Sequence, residues 1–386
     1  MSNSNNLEKS VQSLPLQSYY NPKNFEDELS AIWQKEWLYV CHEKSIKHPL
    51  EFITLKISNY NIIILRDKKS QLVAYLNTCR HRGSILCDED SGKLKKNLLS
   101  CKYHQWSYNV SDGKLVKTSS FVIPDNFKSD DHALYKVRLE LWNGLIFINF
   151  DDNAKWNNVS FRSRFQDYDE IINKVKLEHF EIGHTWKKTI QCNWKIFWEN
   201  YSECLHCPNI HPELSELVPV YGRRIMDIKD SPDWEKFIET PDPKYQGGLK
   251  KGAETWSLDG SAQGNIIRAL QGINDFPGHI YLTNWPSMFM AIFIDHIRIV
   301  RVTPINEKTM SLSVDWFFES ETLNDPNYDK KNVVDFATLV MGQDGDACEL
   351  NQKGVYNPTS KPGTLMPEEY ELKRFHDWLR QKVNYV

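Results

Sequence analysis

The feature that most constrains the fold is a pair of short segments that each carry one cysteine and one histidine. Cys79 and His81 are separated by one residue, and Cys101 and His104 are separated by two. Thiolates and imidazoles at such spacings are typical metal ligands, so the two segments have to face each other in the folded chain. Short β-rich runs surround them, which predicts that two hairpin loops hold the four side chains rigidly.

Two kinds of metal site use this set of donors. A Rieske [2Fe–2S] cluster takes two thiolates on one iron and two imidazoles on the other, so each loop supplies one of each. A structural zinc site takes the same donors in a tetrahedron, but zinc fingers pair cysteine with cysteine and histidine with histidine. The mixed pairs therefore favour the cluster. Gly83 is expected to let the backbone approach closely, and Cys87, which has no paired histidine, to be a structural thiol.

A second candidate metal site contains His206 and His211, in a stretch that opens with the spacing of a helix. Five residues do not place two ligands on one helical face, so we expect a helix that is broken at Pro208 and turns His211 back beside His206. Two histidines and one carboxylate form the facial triad of Fe(II) oxygenases. A helix near the end of the chain offers Asp344 and Asp346 as the carboxylate.

Two other patterns imitate metal sites. His179 and His184 have the same spacing, but without a broken, acidic helix around them we interpret them as strand and turn residues. Cys204 and Cys207 form a Cys-x-x-Cys pair, which occurs in zinc and redox sites. No second cysteine pair accompanies them, so packing is their expected role.

Length and composition limit the kind of protein further. The 386 residues suffice for two domains, and 40% apolar with 25% charged residues is ordinary for a globular protein. A formal charge of −4 does not attract polyanions, so nucleic acid is not an expected partner. The first residues lack a secretory signal pattern, and the apolar stretches are far shorter than the roughly 20 residues of a membrane span. We therefore expect a cytoplasmic protein with no membrane segment.

The hydrophobic pattern divides the chain into three parts and predicts an α+β fold. Residues 1–36 are expected to form a helical segment that packs on the C-terminal domain, residues 37–150 a small antiparallel β domain, and residues 151–386 the domain with the second metal site. A long irregular segment is expected from about Met226 to Gly264. The predicted helices are Phe25–Tyr39, Asn332–Gly354 and Glu368–Val383, and the predicted strands are Phe52–Ile57, Asn61–Leu65, Leu72–Asn77, Gln105–Asn109, Val137–Leu141, Leu145–Asn149, His279–Leu282, Phe289–Asp295, Ile297–Pro304 and Met310–Phe318.

With both metal motifs in this order, the sequence resembles the α subunits of Rieske non-haem iron ring-hydroxylating oxygenases. The resemblance extends from about Trp37 to Gly354 and is carried by residues 77–83, 101–108, 142–149 and 193–212. It implies an all-β Rieske domain followed by a catalytic domain of the helix-grip type, an antiparallel sheet with helices. The implied ligands are Cys79, His81, Cys101 and His104 for the [2Fe–2S] cluster, and His206, His211 and Asp344 for Fe(II).

The late helix is similar to the family pattern Glu-Asp-x4-Glu-x2-Gln-x-Gly, whose aspartate is the third iron ligand. That aspartate corresponds to Asp344, with Asp346 as the alternative. The chain departs from the family at Gln343, where the pattern has glutamate, and at Lys102 and Gln105, where proline and glycine are usual. The last two departures affect the exposure or the potential of the cluster without removing a ligand.

Glu203 corresponds to the family's acidic residue that bridges the iron site to a cluster histidine of the neighbouring subunit. The resemblance thus implies a homotrimer, in which Glu203 contacts His104 of the partner subunit and electrons pass between subunits. Many ring dioxygenases have aspartate here, whereas glutamate resembles the branch that acts on quaternary ammonium compounds such as choline, carnitine and glycine betaine. An aromatic pocket would attract such cations.

The implied reaction is the activation of dioxygen to hydroxylate or N-demethylate a small organic substrate. Its electrons would come from NAD(P)H through a separate flavin-containing reductase, because the chain has no Gly-x-Gly-x-x-Gly fingerprint. Three alternatives stay open. These are a dioxygenase of aromatic rings, a Rieske electron carrier, which needs only about residues 40–150, and a zinc-binding scaffold.

Overall fold

The computed structural model describes residues 5–156, 162–163, 169–230, 245, 247–262, 264–274, 276–357 and 359–385. The strands are β1 (Val11–Gln12), β2 (Leu38–His42), β3 (Glu51–Ile57), β4 (Tyr60–Arg66), β5 (Leu72–Leu76), β6 (Ser91–Lys93), β7 (Leu98–Ser100), β8 (Ser107–Asn109), β9 (Leu115–Lys117), β10 (Arg138–Trp142), β11 (Leu145–Asn149), β12 (Arg162–Ser163), β13 (Phe180–Ile190), β14 (His279–Asn284), β15 (Met288–Phe293), β16 (Ile297–Asn306), β17 (Thr309–Glu319) and β18 (Thr364–Leu365). The α-helices are Pro22–Glu28, Asp169–Lys174, Trp194–Asn200, Cys207–Ile210, Pro212–Leu217, Pro219–Gly222, Ser320–Asn324, Lys331–Gly354 and Tyr370–Lys382.

The chain divides into two compact units. One comprises Gln34–Val159, and the other combines Met1–Trp33 with Ser160–Val386. The described part of the first unit contains antiparallel strands and short 3-10 turns, and the second combines an antiparallel sheet with helices. The α+β fold class, with an all-β N-terminal domain, is therefore confirmed.

The first unit is built from three small antiparallel sheets. Their strand orders are β5-β4-β3-β6, β7-β8-β9 and β10-β11-β2. The predicted strand Gln105–Asn109 begins only at Ser107, because Gln105 has a left-handed backbone with a φ of 56°. Strands β2, β6 and β7 were not predicted. In β6 every residue is exposed, so it has none of the apolar alternation by which a strand is recognised.

The predicted helix Phe25–Tyr39 is wrong in its second half. The α-helix spans Pro22–Glu28 and continues as a single widened turn, and β2 begins at Leu38. All five residues of β2 are buried, and the strand pairs with β11. A continuous apolar run fits a buried strand as well as a helix, so spacing alone could not separate the two.

The second unit is centred on a six-stranded antiparallel sheet of order β12-β14-β15-β16-β17-β13. All residues of β15 are buried, as expected for a strand that is covered on both faces. The long helix Lys331–Gly354 packs against β13 and against the helix Trp194–Asn200. This is the helix-grip arrangement expected of the C-terminal domain, and the predicted boundaries of the long helix were correct to one residue.

Part of the long irregular segment lies outside the described residues, namely 231–244, 246 and 263. Its described portion at residues 247–262 consists of turns and bends, as predicted. Among the described residues, no helix combines the length and the apolar character needed to cross a membrane.

Candidate active site

The two cysteine–histidine loops share one backbone frame. In the first loop the N–H of Cys79 donates to the carbonyl of Ser84, and the N–H of Gly83 donates back to the carbonyl of Cys79. In the second loop the N–H of Cys101 donates to the carbonyl of Trp106, and the N–H of Gln105 donates back to the carbonyl of Cys101. The fourth residue after each cysteine, Gly83 or Gln105, has a left-handed φ of 76° or 56°. The two loops therefore present their donors in the same way.

Gly83 serves the loop through its conformation. A Cβ built at this residue would meet no described protein atom within 4 Å. The left-handed φ by itself explains the glycine, and a close approach of its backbone to a bound cluster stays a prediction.

The two thiols of the four donors are buried, and the two imidazoles are more exposed. Cys79 and Cys101 are 3% and 1% exposed and lie in the apolar core of the first unit. His81 is exposed, and its ring lies 4.8 Å from that of His104 and stacks on Trp106 at 4.7 Å. Two adjacent thiols below two adjacent imidazoles fit a cluster with cysteine on one iron and histidine on the other.

The protonation states also suit metal ligation. Burial raises the pKa of the Cys101 thiol, but the backbone N–H groups of His104 and Tyr103 outweigh this effect and lower it overall. Burial, followed by the charges of His104 and Arg82, lowers the pKa of His81. Thiolate and neutral imidazole, the forms that bind metals, are both favoured.

The second group of donors comes together in the C-terminal unit. One donor atom from each of His206, His211 and Asp344 lies within 4.8 Å of the others. Asp344 Oδ1 is 2.8 Å from Nε2 of His211 and 3.5 Å from Nε2 of His206. His211 and Asp344 are 1% and 6% exposed. Two imidazoles and one carboxylate converge as in a facial triad.

The backbone that brings the two histidines together differs from the one expected. The helix Trp194–Asn200 ends well before Pro208, and His206 lies at the N-terminal boundary of the short helix Cys207–Ile210. Pro208 and Pro212 occupy the first turns of consecutive short helices. The prediction of one helix broken at Pro208 is therefore wrong, because proline is tolerated in a first turn, where its missing N–H is not needed.

A hydrogen bond orients each imidazole from behind. Nδ1 of His206 lies 2.6 Å from Oε1 of Glu203, and Nδ1 of His211 lies 2.8 Å from Oε1 of Gln343. Carboxylate and amide oxygens accept, so both Nδ1 atoms carry the proton and donate. The Nε2 atoms then face Asp344, and a metal ion bound there would take the place of their protons. Such partners behind metal-binding histidines fix the tautomer and the ring orientation.

The charges around this triad favour a cation. Burial lowers the pKa of His206, but hydrogen bonds to Asp344 and Glu203 outweigh it and raise the pKa to about 9. Burial raises the pKa of Asp344, but hydrogen bonds to His206 and His211 bring it below its ordinary value. A metal dication at the triad would replace protons that these groups otherwise hold. The residues therefore fit a mononuclear Fe(II).

The structure places the alternative ligand Asp346 elsewhere. Its side chain is 80% exposed and lies 3.5 Å from Lys188. His179 ends a 3-10 turn and His184 lies in β13, as interpreted from the sequence.

Cys204 and Cys207 are joined by a disulfide, although simple packing was expected. Their Cα atoms are 4.9 Å apart, a separation that a disulfide spans. The tight turn that leads into the helix Cys207–Ile210 produces this approach.

A pocket opens beside the triad. Aromatic side chains provide much of its wall, and Arg298 also lines it. Nδ2 of Asn200 reaches within 3.4 Å of Nε2 of His206. None of these residues was predicted from the sequence to line a pocket. Only Asn200 and Tyr201 lie within a recognisable motif. The aromatic residues of the wall are Tyr201, Tyr221, Trp256 and Tyr281.

Comparisons with known proteins agree with both metal motifs. The family model described as "Ring hydroxylating alpha subunit (catalytic domain)" matches residues 177–384, and the one described as "Rieske [2Fe-2S] domain" matches residues 36–123. The electron-carrier and zinc-scaffold alternatives leave the first match unexplained.

Two curated relatives cover nearly the whole chain. The carnitine monooxygenase oxygenase subunit of Escherichia coli (strain K12) is 30% identical over 95% of this chain and 93% of its own length. The glycine betaine monooxygenase oxygenase subunit of Pseudomonas aeruginosa (strain PAO1) is 27% identical over 96% of this chain and 89% of its own.

A solved structure shares the fold. The quaternary ammonium Rieske monooxygenase CntA in complex with L-carnitine superposes with a TM-score of 0.71 at 20% identity, covering 97% of this chain and 96% of that one. The chain therefore belongs to the ring-hydroxylating α subunits of the Rieske non-haem iron oxygenases, enzymes with a [2Fe–2S] cluster and a catalytic iron that receive electrons from NAD(P)H through a separate reductase.

Proposed function

We propose that the chain is a monooxygenase of a small quaternary ammonium compound. The observation that carries this proposal is the position of the triad at a pocket with aromatic walls. The ligands we assign are Cys79, His81, Cys101 and His104 for the cluster, and His206, His211 and Asp344 for Fe(II).

The aromatic rings form a corner suited to a cation. The ring of Trp256 lies 5.9 Å from that of Tyr221 and 6.1 Å from that of Tyr281, and both pairs are nearly perpendicular. The faces of such rings attract a quaternary ammonium group, which has no N–H and so cannot donate hydrogen bonds. The names of the relatives, glycine betaine and carnitine monooxygenases, support the same substrate class.

When bound, the cluster supplies single electrons and the Fe(II) activates dioxygen at its open positions. In the overall reaction one oxygen atom enters a C–H bond of the substrate, and the other leaves as water with two electrons from NAD(P)H and two protons. Glu203 and Gln343 hold the two imidazoles in orientation. The buried aromatic side chains keep bulk water away from the substrate.

We assign the cluster to a domain of residues 37–150 and the iron to residues 151–386, with the segment 1–36 packed on the latter. The compact unit Gln34–Val159 supports the first assignment, and the hydrogen bond between Tyr19 and Glu199 supports the packing. A flavin-containing reductase and a cytoplasmic location complete the proposal, since NAD(P)H is supplied there.

The exposure of the cluster histidines supports a homotrimer with electron transfer between subunits. His81 is exposed and His104 half-buried, so the imidazole end of the cluster faces outward. Glu203 is hydrogen-bonded to the iron ligand His206 and also lines a second cavity, with Glu199 and Glu369. A partner's cluster histidine that reached this cavity would contact Glu203.

Co-expression of two inactive chains tests this arrangement. His104→Ala removes a cluster ligand, and His206→Ala removes an iron ligand. In randomly mixed trimers, about one quarter of the neighbouring pairs combine an intact cluster with an intact iron site, so about a quarter of wild-type activity is expected. Transfer within one chain would leave the mixture inactive. Adding Glu203→Gln to the chain with the intact iron site is expected to abolish the recovery.

Turnover with a reductase tests the substrate class. Glycine betaine, carnitine and choline are each supplied with NAD(P)H, and substrate loss is compared with oxygen uptake. We expect coupled consumption with at least one of them, and no consumption in Asp344→Ala. Asp346→Ala, on the same helix but exposed, is the matched control and should retain activity. Turnover of naphthalene-like arenes alone would instead support an aromatic-ring dioxygenase.

A further inference from the structure

Arg298 is a buried cation for which the described residues provide no counter-ion. It lies on β16, is 4% exposed and lines the pocket beside the triad. Its Nε has no hydrogen-bond partner, and within the described part of the chain no carboxylate forms a salt bridge with its guanidinium group. The guanidinium carbon lies 5.6 Å from the centroid of the Phe293 ring. An arginine stays charged in a protein, so its burial requires a partner.

Lys195 shows what a satisfied buried cation looks like in the same unit. Its Nζ lies 2.6 Å from Glu28 Oε1 and 2.7 Å from Asn193 Oδ1. Asp295 forms no salt bridge with Arg298 either: its Oδ1 accepts from Thr255 and pairs with His296, and its Oδ2 has no hydrogen-bond partner among the described residues. No described residue therefore supplies the counter-ion of Arg298.

Trp256 supplies a second donor in the same pocket. It is 4% exposed, and its Nε1–H has no hydrogen-bond partner in the part of the chain that the structure describes. Its ring lies 5.6 Å from that of Phe293, the ring that also borders Arg298. Guanidinium and indole groups only donate, so the ligand that satisfies both must offer acceptor atoms. A carboxylate has that property and matches the planar guanidinium group.

We propose that Arg298, with the indole N–H of Trp256, binds the carboxylate of a zwitterionic substrate. The inference rests on the proposed function, which assigns the other end of that substrate to the aromatic corner. The enzyme then selects trimethylammonium carboxylates, such as glycine betaine and carnitine, over choline, which has the same cation and no carboxylate.

Binding to the holoenzyme without reductase tests the subsite. Equilibrium dialysis compares glycine betaine, choline and the carbon isostere of glycine betaine, which has a tert-butyl group in place of trimethylammonium. We expect the wild type to prefer glycine betaine over choline by at least about tenfold, the value of one charged hydrogen-bonded contact. Arg298→Gln is expected to weaken glycine betaine by about tenfold to a hundredfold and choline by much less.

Two further variants separate recognition from folding. Arg301→Gln removes another arginine of the same strand, three positions along and therefore on the opposite face, and is expected to leave the preference intact. Arg298→Lys keeps the charge without the planar fork and should give an intermediate preference. The preference of the wild type itself does not depend on the folding of any variant.

The outcomes distinguish the inference from the function on which it rests. Equal affinity for glycine betaine and choline in the wild type, or an unchanged preference in Arg298→Gln, would overturn the carboxylate subsite while leaving a quaternary ammonium oxygenase in place. Another outcome is that the isostere binds the wild type as tightly as glycine betaine does and binds Arg298→Gln weakly. That result would support the carboxylate subsite and contradict a quaternary ammonium substrate. If none of the three probes binds and carnitine does not bind either, both the subsite and the substrate class are wrong.

Discussion

Oε1 of Gln343 lies 2.8 Å from Nδ1 of His211, directly behind the ring that faces Asp344. Nε2 of the same Gln343 lies 3.2 Å from Oε2 of Glu213. The side-chain amide of Gln343 thus donates a hydrogen bond to Glu213, and its oxygen accepts one from the imidazole of His211. The family pattern that the sequence resembles has glutamate here, and a carboxylate could accept the same hydrogen bond from His211.

Loss of the Gln343 acceptor is expected to loosen iron binding. Gln343→Leu leaves Nδ1 of His211 without a partner, and such changes typically cost tenfold to a hundredfold in metal affinity or activity, so we expect about that loss. Gln343→Glu keeps the acceptor and is expected to retain iron. Titration of the iron-depleted holo-cluster protein with Fe(II) measures both. Equal affinities in Gln343→Leu and wild type would show that the contact does not orient the ligand.

The shared frame of the two cluster loops predicts opposite effects at two equivalent positions. Gly83→Ala places a Cβ at a left-handed residue and is expected to cost about 1–2 kcal/mol. Gln105→Gly relieves the same strain and is expected to be neutral or to gain up to about 1 kcal/mol. Thermal unfolding followed by the loss of cluster absorbance checks both. Destabilisation by Gln105→Gly of the size seen for Gly83→Ala would show that the two loops are not equivalent.

Asp259 holds the loop that carries Trp256, and its contribution is expected to depend on pH. Oδ1 accepts from Nδ2 of Asn332 at 2.9 Å and from the N–H of Ser261 at 2.9 Å. Together with the hydroxyl of Ser257, these donors hold the pKa of Asp259 well below its ordinary value. A carboxyl group whose pKa is lower in the folded state than in the unfolded state stabilises the fold when the pH lies above the unfolded pKa of about 3.9. This stability is lost as the pH falls from there towards the pKa of the folded state.

Asp259→Asn tests this linkage because it keeps one acceptor oxygen and removes the charge. Thermal unfolding by circular dichroism should show a lower midpoint than wild type at neutral pH. The difference is expected to shrink as the pH falls below about 4, where the unfolded carboxyl becomes protonated. A difference that stays constant down to that pH would mean that the charge of Asp259 contributes nothing.

A buried ion pair joins the N-terminal segment to the rest of the second unit. Glu28 contacts Lys195 Nζ at 2.6 Å and Trp194 Nε1 at 2.7 Å, and neither charged side chain is exposed. Glu28→Ala leaves the lysine buried without its partner and is expected to cost about 3–5 kcal/mol in the free energy of unfolding. Asp27→Asn breaks an exposed pair on the same helix and serves as the control, with little expected effect. Denaturant unfolding compares the two.

The proposed metal ligands could be predicted because each cysteine–histidine or histidine–histidine pair lies close in sequence. Cys79 with His81, and Cys101 with His104, define their chemistry by residue type and spacing, whatever the neighbouring strands do. His206 and His211 were identified in the same way. The choice of Asp344 over Asp346 needed the resemblance to a family, since two acidic residues so close on one helix look alike in sequence.

The pocket could not be predicted, because strand pairing across the sheet assembles it. Arg298 stands between Ile297 and Ile299 in a strand that reads as core, and only its pairing with Ala291 and Trp316 fixes what its side chain faces. Trp256 lies in an irregular segment without periodicity. The helix boundaries around Pro208 were predicted wrongly, because proline is equally consistent with the end of one helix and the first turn of another.

Metal analysis of the purified protein can establish or refute both metal centres. Anaerobically purified protein is assayed for iron, zinc and acid-labile sulfide, with EPR of the reduced cluster, in wild type and in His211→Ala. We expect about three irons and two sulfides per chain in wild type, and about two irons with two sulfides and an unchanged Rieske signal in His211→Ala. Zinc without sulfide, or an iron content that His211→Ala does not lower, would contradict the assignment of the two centres.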